Sequence, residues 1–521
     1  TDVPHVMRNH LSSTEDLGIS ENVPAVCFPT AVSMACSFDP ALLREVGQSI
    51  AEECLQEGVS VLLGPGMNIK RSPLCGRNFE YYSEDPYLSG HLAAAFIEGV
   101  QSKGVGTSLK HFAANNQEKR RLTVDAVMDQ RTLREIYLSG FEFAIKQARP
   151  WTVMCSYNRL FGEFVSQNEY LLTQILRQEW GYEGLVISDW GAVVDRVKGV
   201  AAGLDLEMPH LDRTHDERVA QAVIAGDLPA ALLNQTAENV TALLLRARGQ
   251  KRAQYNVSAH RALARRAAAE SAVLLKNEGN LLPLNPSSSV ALIGAFAKNP
   301  RYQGSGSSRI TPIRVNDAVE ELKSLGLRFE YAAGYFEDAD APDEGLLAEA
   351  CQVAAGKDVV LLFVGLPDRF ESETFDRETL ALPQSHERLI EAVSEVNHNV
   401  VVVLYCGGVV EMPWADRVKS ILLMHLGGET VNGAVADLLL GRVNPSGKLA
   451  ETWPFQLEDN PSFNYFPGYP LTVEYREGIF VGYRYYDSAH VPVRFPFGFG
   501  LSYTTFSLSD LQLSSNKMGD S

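Results

Sequence analysis

Gly184-Leu-Val-Ile-Ser-Asp-Trp-Gly191 delivers a carboxylate, Asp189, at the end of a short apolar β run. At the carboxyl end of a parallel strand such a group does chemistry. The same residue also suits the N-cap of a following helix, and position alone leaves the two readings level. Three earlier segments have the same form. Arg77 lies beyond the run Val59-Ser-Val-Leu-Leu63, Lys110-His111 follows Val105-Gly-Thr-Ser-Leu109, and Ser156-Tyr157-Asn158 follows Thr152-Val-Met-Cys155. Charged groups placed directly after buried strands are costly unless paired or bound to something. Four such ends converging would hold a polyhydroxyl ligand, with donors and acceptors fixed on rigid elements.

A second carboxylate source is the loop Asp368-Arg-Phe-Glu-Ser-Glu-Thr-Phe-Asp-Arg377, which carries Glu371 and Glu373. By itself it reads as a solvated acidic loop. Facing Asp189 from a second domain, it would complete the pair needed to cleave a glycosidic bond with retention: one carboxylate attacks the anomeric carbon, the other protonates the leaving oxygen. Competing chemistries lack their signatures. There is no HxH or HExxH for a metal, and no Gly-x-Ser-x-Gly elbow for a serine hydrolase. Gly304-Ser-Gly-Ser-Ser308 lacks the Lys-Ser/Thr that completes a phosphate loop.

The elements that must position these residues alternate along the chain. Strands at 59–63, 105–109, 152–155, 185–187 and 204–206 are separated by helical patterns near 39–57, 87–102, 131–148 and 168–179, with Pro40 and Pro86 as start signals. That rhythm predicts a parallel sheet of TIM-like length with some strands irregular or missing. Residues 1–255 are read as this barrel and 256–289 as a linker helix and Gly/Pro/Ser-rich junction. A second α/β domain is read over 290–455, with strands at 290–293, 359–363, 400–404 and 420–424. Residues 456–521, rich in Pro, Phe and Tyr, are read as connector ending in the start of a further domain.

The chain has 521 residues, enough for two or three domains. Its net charge is 46 − 64 = −18, which argues against nucleic acid or an anionic membrane as partner. No apolar run reaches the roughly 18 to 20 residues of a membrane span. The seven cysteines are scattered without a CxxC pair, predicting free thiols and a reducing, cytoplasmic setting. Export stays open because the chain opens at Thr1. A homo-oligomer is likewise left open.

Taken in order, the segments resemble glycoside hydrolase family 3, in its β-glucosidase branch. The resemblance is carried by Gly76-Arg-Asn-Phe-Glu-Tyr-Tyr-Ser-Glu-Asp-Pro86, Lys110-His-Phe-Ala-Ala-Asn-Asn-Gln-Glu118, Met154-Cys-Ser-Tyr-Asn158 and Val186-Ile-Ser-Asp-Trp190. It continues through Glu371-Ser-Glu-Thr-Phe-Asp-Arg377, Pro445-Ser-Gly-Lys-Leu449 and Phe495-Pro-Phe-Gly-Phe-Gly-Leu-Ser-Tyr503. It implies an α/β protein: a TIM-like barrel lacking its first strand, then an α/β sandwich, with the active site between them and a truncated fibronectin-III-like start at the end. It implies retaining, exo-acting hydrolysis of terminal β-D-glucosyl residues from a small-molecule β-glucoside or oligosaccharide, without a cofactor.

On the same resemblance Asp189 is the nucleophile, and Glu373, three residues before Asp376-Arg377, is the acid/base, with Glu371 as the fallback in register. Asp2, Arg77, Lys110, His111, Arg121 and Tyr157 hold the sugar, and Trp190 walls the pocket. Arg77 and Lys110 are expected to lower the Asp189 pKa, and a second carboxylate to raise that of Glu373. Ala113-Ala-Asn-Asn-Gln-Glu118 stands where the hexosaminidase branch has a Gly-His-Gly type loop, which argues against that activity. Val3 and Val6 replace two glycines of the family's Asp-Gly-Pro-x-Gly segment, a change that strains any position of positive φ. A β-xylosidase, a broad-specificity β-glycosidase and a sugar-binding pseudoenzyme are the alternatives.

Overall fold

The computed structural model describes residues 23–210, 213–507 and 509–513. Asp2, Val3 and Val6 therefore lie outside the described residues.

In the first domain four parallel strands stand side by side in the order Val61–Leu62, Gly106–Phe112, Thr152–Cys155 and Leu185–Ile187. The sheet is backed by Pro40–Glu57, Pro86–Ser102 and Ser139–Ala148. Local chemistry starts these helices where the sequence predicts. Asp39 accepts from the Ala41 and Leu42 amides ahead of Pro40, and Asp85 accepts from the Leu88 amide ahead of Pro86. Of the five expected strands, 204–206 contributes only a single bridge, Ile187 to Leu206.

One strand differs in a way that bears on chemistry. The apolar run suggested an end at Leu109, but the strand continues to Phe112 and is buried throughout. Lys110 and His111 thus sit within it, and its pairing with Thr152–Cys155 shifts register between Leu109 and Phe112. A charge in the sequence reads as the end of a buried strand; here Lys110 stays buried beside Glu80.

The second domain is a six-stranded sheet in the order Phe329–Ala332, Val290–Ile293, Val359–Gly365, Val400–Tyr405, Ser420–Leu423 and Val273–Asn277. The first five run parallel, and Val273–Asn277 joins antiparallel at the edge. Residues 273–277 fall in the segment that the sequence marks as linker, yet they form the antiparallel edge of the sheet. Phe329–Ala332 was not anticipated, because this edge strand is only partly buried and its residues carry no continuous apolar run.

The segment after Pro454 is more than connector. Thr472–Glu474 pairs in parallel with Asp125–Val127 of the first domain. Tyr475 and Val481 are buried, and Arg71 is bonded to the Glu477 carboxylate and to the Glu474 carbonyl (3.0 Å). Tyr475, Tyr486 and Phe495 are buried, and the Tyr475 hydroxyl donates back to the Ala114 carbonyl of the first domain at 3.3 Å, whereas Phe455, Tyr469 and Phe480 stay exposed. Among the described residues no helix is long and apolar enough to cross a membrane. All seven cysteines are free thiols.

Candidate active site

The ambiguity at Asp189 is resolved by its neighbour. The next helix, Arg196–Ala202, is capped by Asp195, which accepts from the Val197 and Lys198 amides. Asp189 is not the cap. It is buried, its Oδ1 accepts from the Trp190 amide at 2.7 Å, and Gly191 (φ 75°) turns the chain immediately afterwards. Its Oδ2 is buried with no hydrogen bond among the described residues and lies 3.6 Å from His111 Nε2. Burial, with Arg77, Lys110 and Arg121 nearby, drives the His111 pKa well below its ordinary value, so the imidazole is neutral. The other ring nitrogen faces the Tyr81 hydroxyl at 3.3 Å.

Around this carboxylate the strand ends do converge. Arg77 makes a two-pronged contact to Glu80 (2.7 and 2.9 Å), and its Nη1 is 3.7 Å from Glu373. Lys110 Nζ is 3.2 Å from Glu80, and burial lowers its pKa to about 8 against the pull of Asp189 and Glu373. Arg121 lies over the Tyr157 ring at 4.7 Å, while the Tyr157 hydroxyl donates to the Trp190 carbonyl at 3.0 Å. The Trp190 side chain is 37% exposed and is the partly open apolar member of the group. Asp189, Arg77, Lys110, His111, Arg121, Tyr157 and Trp190 thus belong to one cluster.

Glu373 enters from the second domain, and the way it is held was not legible in advance. Its Oε1 accepts from Arg121 Nη1 at 2.8 Å. Its Oε2 accepts from the Ser307 amide at 2.8 Å and the Ser307 hydroxyl at 2.5 Å. The Glu373 amide donates to the Ser305 carbonyl at 3.1 Å. Gly304-Ser-Gly-Ser-Ser308, the loop that failed as a phosphate site, therefore cradles a carboxylate with the same kind of backbone donor. Gly306 (φ 107°) is required there, since a Cβ would stand 2.4 Å from the Glu373 Cβ.

Glu371 is separated from this cluster. It is buried against the Gly407 amide (2.7 Å), with Arg301 at 3.9 Å. Two further residues, not singled out by sequence, lock the loop to the first domain. Asp376 accepts from the amides of Gly76 (3.0 Å), Glu118 (2.8 Å) and Lys119 (2.8 Å). Glu118 accepts from the Thr374 amide and from Arg121 (2.8 and 2.7 Å). Gly76 permits the approach, because a Cβ there would lie 1.8 Å from the Phe375 carbonyl oxygen. The available signal was the adjacency of Gly76 to Arg77 and of Asp376 to Glu373.

The charge states run opposite to expectation. Burial raises the Asp189 pKa even though Arg77, the Trp190 amide and Lys110 oppose it. Burial also disfavours the Glu373 anion, but Arg77, Arg121 and Ser307 outweigh it and hold the carboxyl well below the ordinary range. Opposite charges and hydrogen bonds at Glu373 prevail over the like charge on which the expectation rested.

A buried carboxylate from each domain, three cations and a partly open tryptophan thus share one cluster, the residue types that cleavage of a glycosidic bond calls for. Comparison with known proteins makes this particular. The glycosyl hydrolase family 3 N-terminal domain matches residues 11–243, and the family's C-terminal domain matches residues 272–503. Thermostable beta-glucosidase B of Acetivibrio thermocellus is 55% identical over 525 residues, covering 100% of this chain and 70% of that protein. The exo-alpha-(1->6)-L-arabinopyranosidase of Bifidobacterium breve is 49% identical, covering 98% of this chain and 69% of its own. The crystal structure of a Bifidobacterium adolescentis GH3 beta-glucosidase superposes with a TM-score of 0.91 at 49% identity, over 96% of this chain and 73% of that one. The chain belongs to glycosyl hydrolase family 3, with the TIM-like barrel and α/β sandwich of that family.

Proposed function

We propose that the chain is a retaining, exo-acting β-glycosidase that releases terminal non-reducing β-D-glucosyl residues, with Asp189 as nucleophile and Glu373 as acid/base. The observation that carries this reading is the Asp189 carboxylate. It is buried at a strand end with one oxygen unbonded among the described residues, in the same charged cluster as a carboxylate from the other domain. The 55% identity to a beta-glucosidase supports glucose as the glycone.

In this scheme an Asp189 oxygen forms a bond to the anomeric carbon as the glycosidic C–O bond breaks. The electron pair of that bond goes to the leaving oxygen, which takes the Glu373 proton. The Glu373 carboxylate then accepts a proton from water as the water oxygen displaces Asp189, and the sugar leaves with retained configuration. Arg77, Lys110, His111, Arg121 and Tyr157 bind sugar hydroxyls, and Trp190 lines the way to the leaving group.

The 49% identity to an arabinopyranosidase favours a second reading, in which an α-L-arabinopyranosyl unit occupies the same subsite. The test is a panel of nitrophenyl glycosides: β-D-glucoside, β-D-xyloside and α-L-arabinopyranoside. NMR of the first-formed anomer accompanies the rates. Turnover of the glucoside with retention is expected. An inverted product, or full activity in Asp189→Asn, overturns the assignment, and faster turnover of the arabinoside transfers it to the second glycone.

A further inference from the structure

Glu118 is a buried carboxylate that the scheme above does not use. Its side chain is 1% exposed. Arg121 Nη1 stands 2.7 Å from Glu118 Oε2 and 2.8 Å from Glu373 Oε1, so one guanidinium nitrogen serves both carboxylates. The same Glu118 oxygen accepts from the amide of Thr374, the residue after Glu373, at 2.8 Å. Glu118 therefore touches the acid/base loop twice, once through its backbone and once through the cation that holds the Glu373 carboxylate.

A difficulty in the acid/base assignment gives this geometry a role. To protonate a leaving oxygen Glu373 must carry a proton, yet Arg77, Arg121 and Ser307 favour its anion. A second negative charge on the shared guanidinium divides its attraction and repels the Glu373 charge directly, and both effects favour the protonated form. We infer that Glu118 is a positioning residue for proton transfer: by sharing Arg121 with Glu373, it keeps Glu373 able to hold a proton at higher pH.

The inference rests on the acid/base reading of Glu373. Glu118 is faced by Arg77 and Arg121 as cations, by Glu373 as a like charge, and by the buried Cys75 and Tyr81. Glu373 is faced in addition by Asp189, Glu80, Lys110 and Tyr157. Burial pushes Glu118 up to about 7 against Arg77 and Arg121, so its charge bears on Glu373 from neutral pH upward.

The test compares phenyl β-D-glucoside, whose leaving group needs protonation, with the 2,4-dinitrophenyl glucoside, whose leaving group does not. Both are followed across pH for the wild type and for Glu118→Gln, Glu118→Asp, Arg121→Met and Glu373→Gln. In Glu118→Gln the alkaline limb of kcat/KM for the phenyl substrate is expected to move down by about one pH unit. At neutral pH that rate falls about tenfold while the dinitrophenyl rate stays within about threefold. Glu118→Asp restores most of the limb. Arg121→Met, which removes the shared cation, moves the limb the other way and keeps the test available if Glu118→Gln does not fold.

An unmoved limb, or equal losses on both substrates, overturns the inference and leaves Glu118 a structural clamp. If Glu373→Gln spares the phenyl substrate, the acid/base assignment itself fails. If Glu373→Gln selectively loses that substrate and Glu118→Gln does not, only the role of Glu118 fails.

Discussion

The two carboxylate loops are built from similar parts and held in opposite ways. Asp189 ends a rigid strand, is buried, and satisfies one oxygen with a single amide while the other has no hydrogen bond among the described residues. Glu373 lies on a loop, and an arginine, an amide and a hydroxyl saturate it. Burial without donors raises a carboxyl pKa, and burial with cations and donors lowers it. Under-satisfaction leaves an oxygen for bond formation, whereas saturation fixes a carboxylate in place and makes its proton harder to keep. The first domain thus contributes reactivity and the second contributes a group whose protonation must be managed.

The largest effect that would sharpen this contrast is Asp189→Asn. It removes the reacting oxygen, and kcat/KM is expected to fall by at least about 10⁴-fold. The melting temperature should not fall, since the deleted charge had only one hydrogen bond; a large destabilisation would show that Asp189 is structural. Next comes Glu373→Gln, with an expected loss of about 10²- to 10³-fold on a phenyl glucoside and far less on a dinitrophenyl glucoside. Azide should rescue the dinitrophenyl reaction, read as a β-glucosyl azide in the product mixture.

Gly306→Ala attacks the cradle rather than the carboxylate. The new Cβ would collide with the Glu373 Cβ at a φ of 107°, so kcat is expected to drop about tenfold with a cost of about 1–3 kcal/mol in denaturant unfolding. Asp376→Ala deprives the Gly76, Glu118 and Lys119 amides of their shared acceptor, costing about 2 kcal/mol and loosening Glu373 against the barrel. Unchanged kcat in either variant would mean that the loop keeps its place without these contacts.

The smallest effect is in stability against pH. The folded-state Glu373 pKa lies below its ordinary 4.5, so its ion pairs stabilise the fold above that pH. This contribution drains away as pH falls through and below 4.5. The stability advantage of wild type over Glu373→Gln, read by urea unfolding, should therefore shrink between neutral and acid pH. An advantage independent of pH would show that the charge of Glu373 does not contribute to the fold.

Much of this was legible from residue types in order. Apolar runs placed the central strands of both sheets, proline and aspartate marked the helix starts, and the ordered motifs carried the family. The failures share a cause. Lys110 and His111 were read as lying beyond their strand because burial of charge depends on partners such as Glu80, distant in sequence. Val273–Asn277 was read as linker because its partner, Ser420–Leu423, lies 147 residues away between the strand starts, 420 − 273. The stretch after Pro454 reads as connector because the partners of Thr472–Glu474 and of buried Tyr475 lie in the first domain.

The sequence by itself determined which functional groups exist, their order and the elements that carry them, because local pattern and residue chemistry suffice for those. Only the tertiary structure decided that Asp195 rather than Asp189 caps the following helix, and that Glu373 rather than Glu371 joins the cluster. It also decided that a glycine-rich loop dismissed for phosphate would cradle a carboxylate. These outcomes, and the charge each group carries, depend on distance and burial. Distance and burial arise only when segments remote in the chain are packed together.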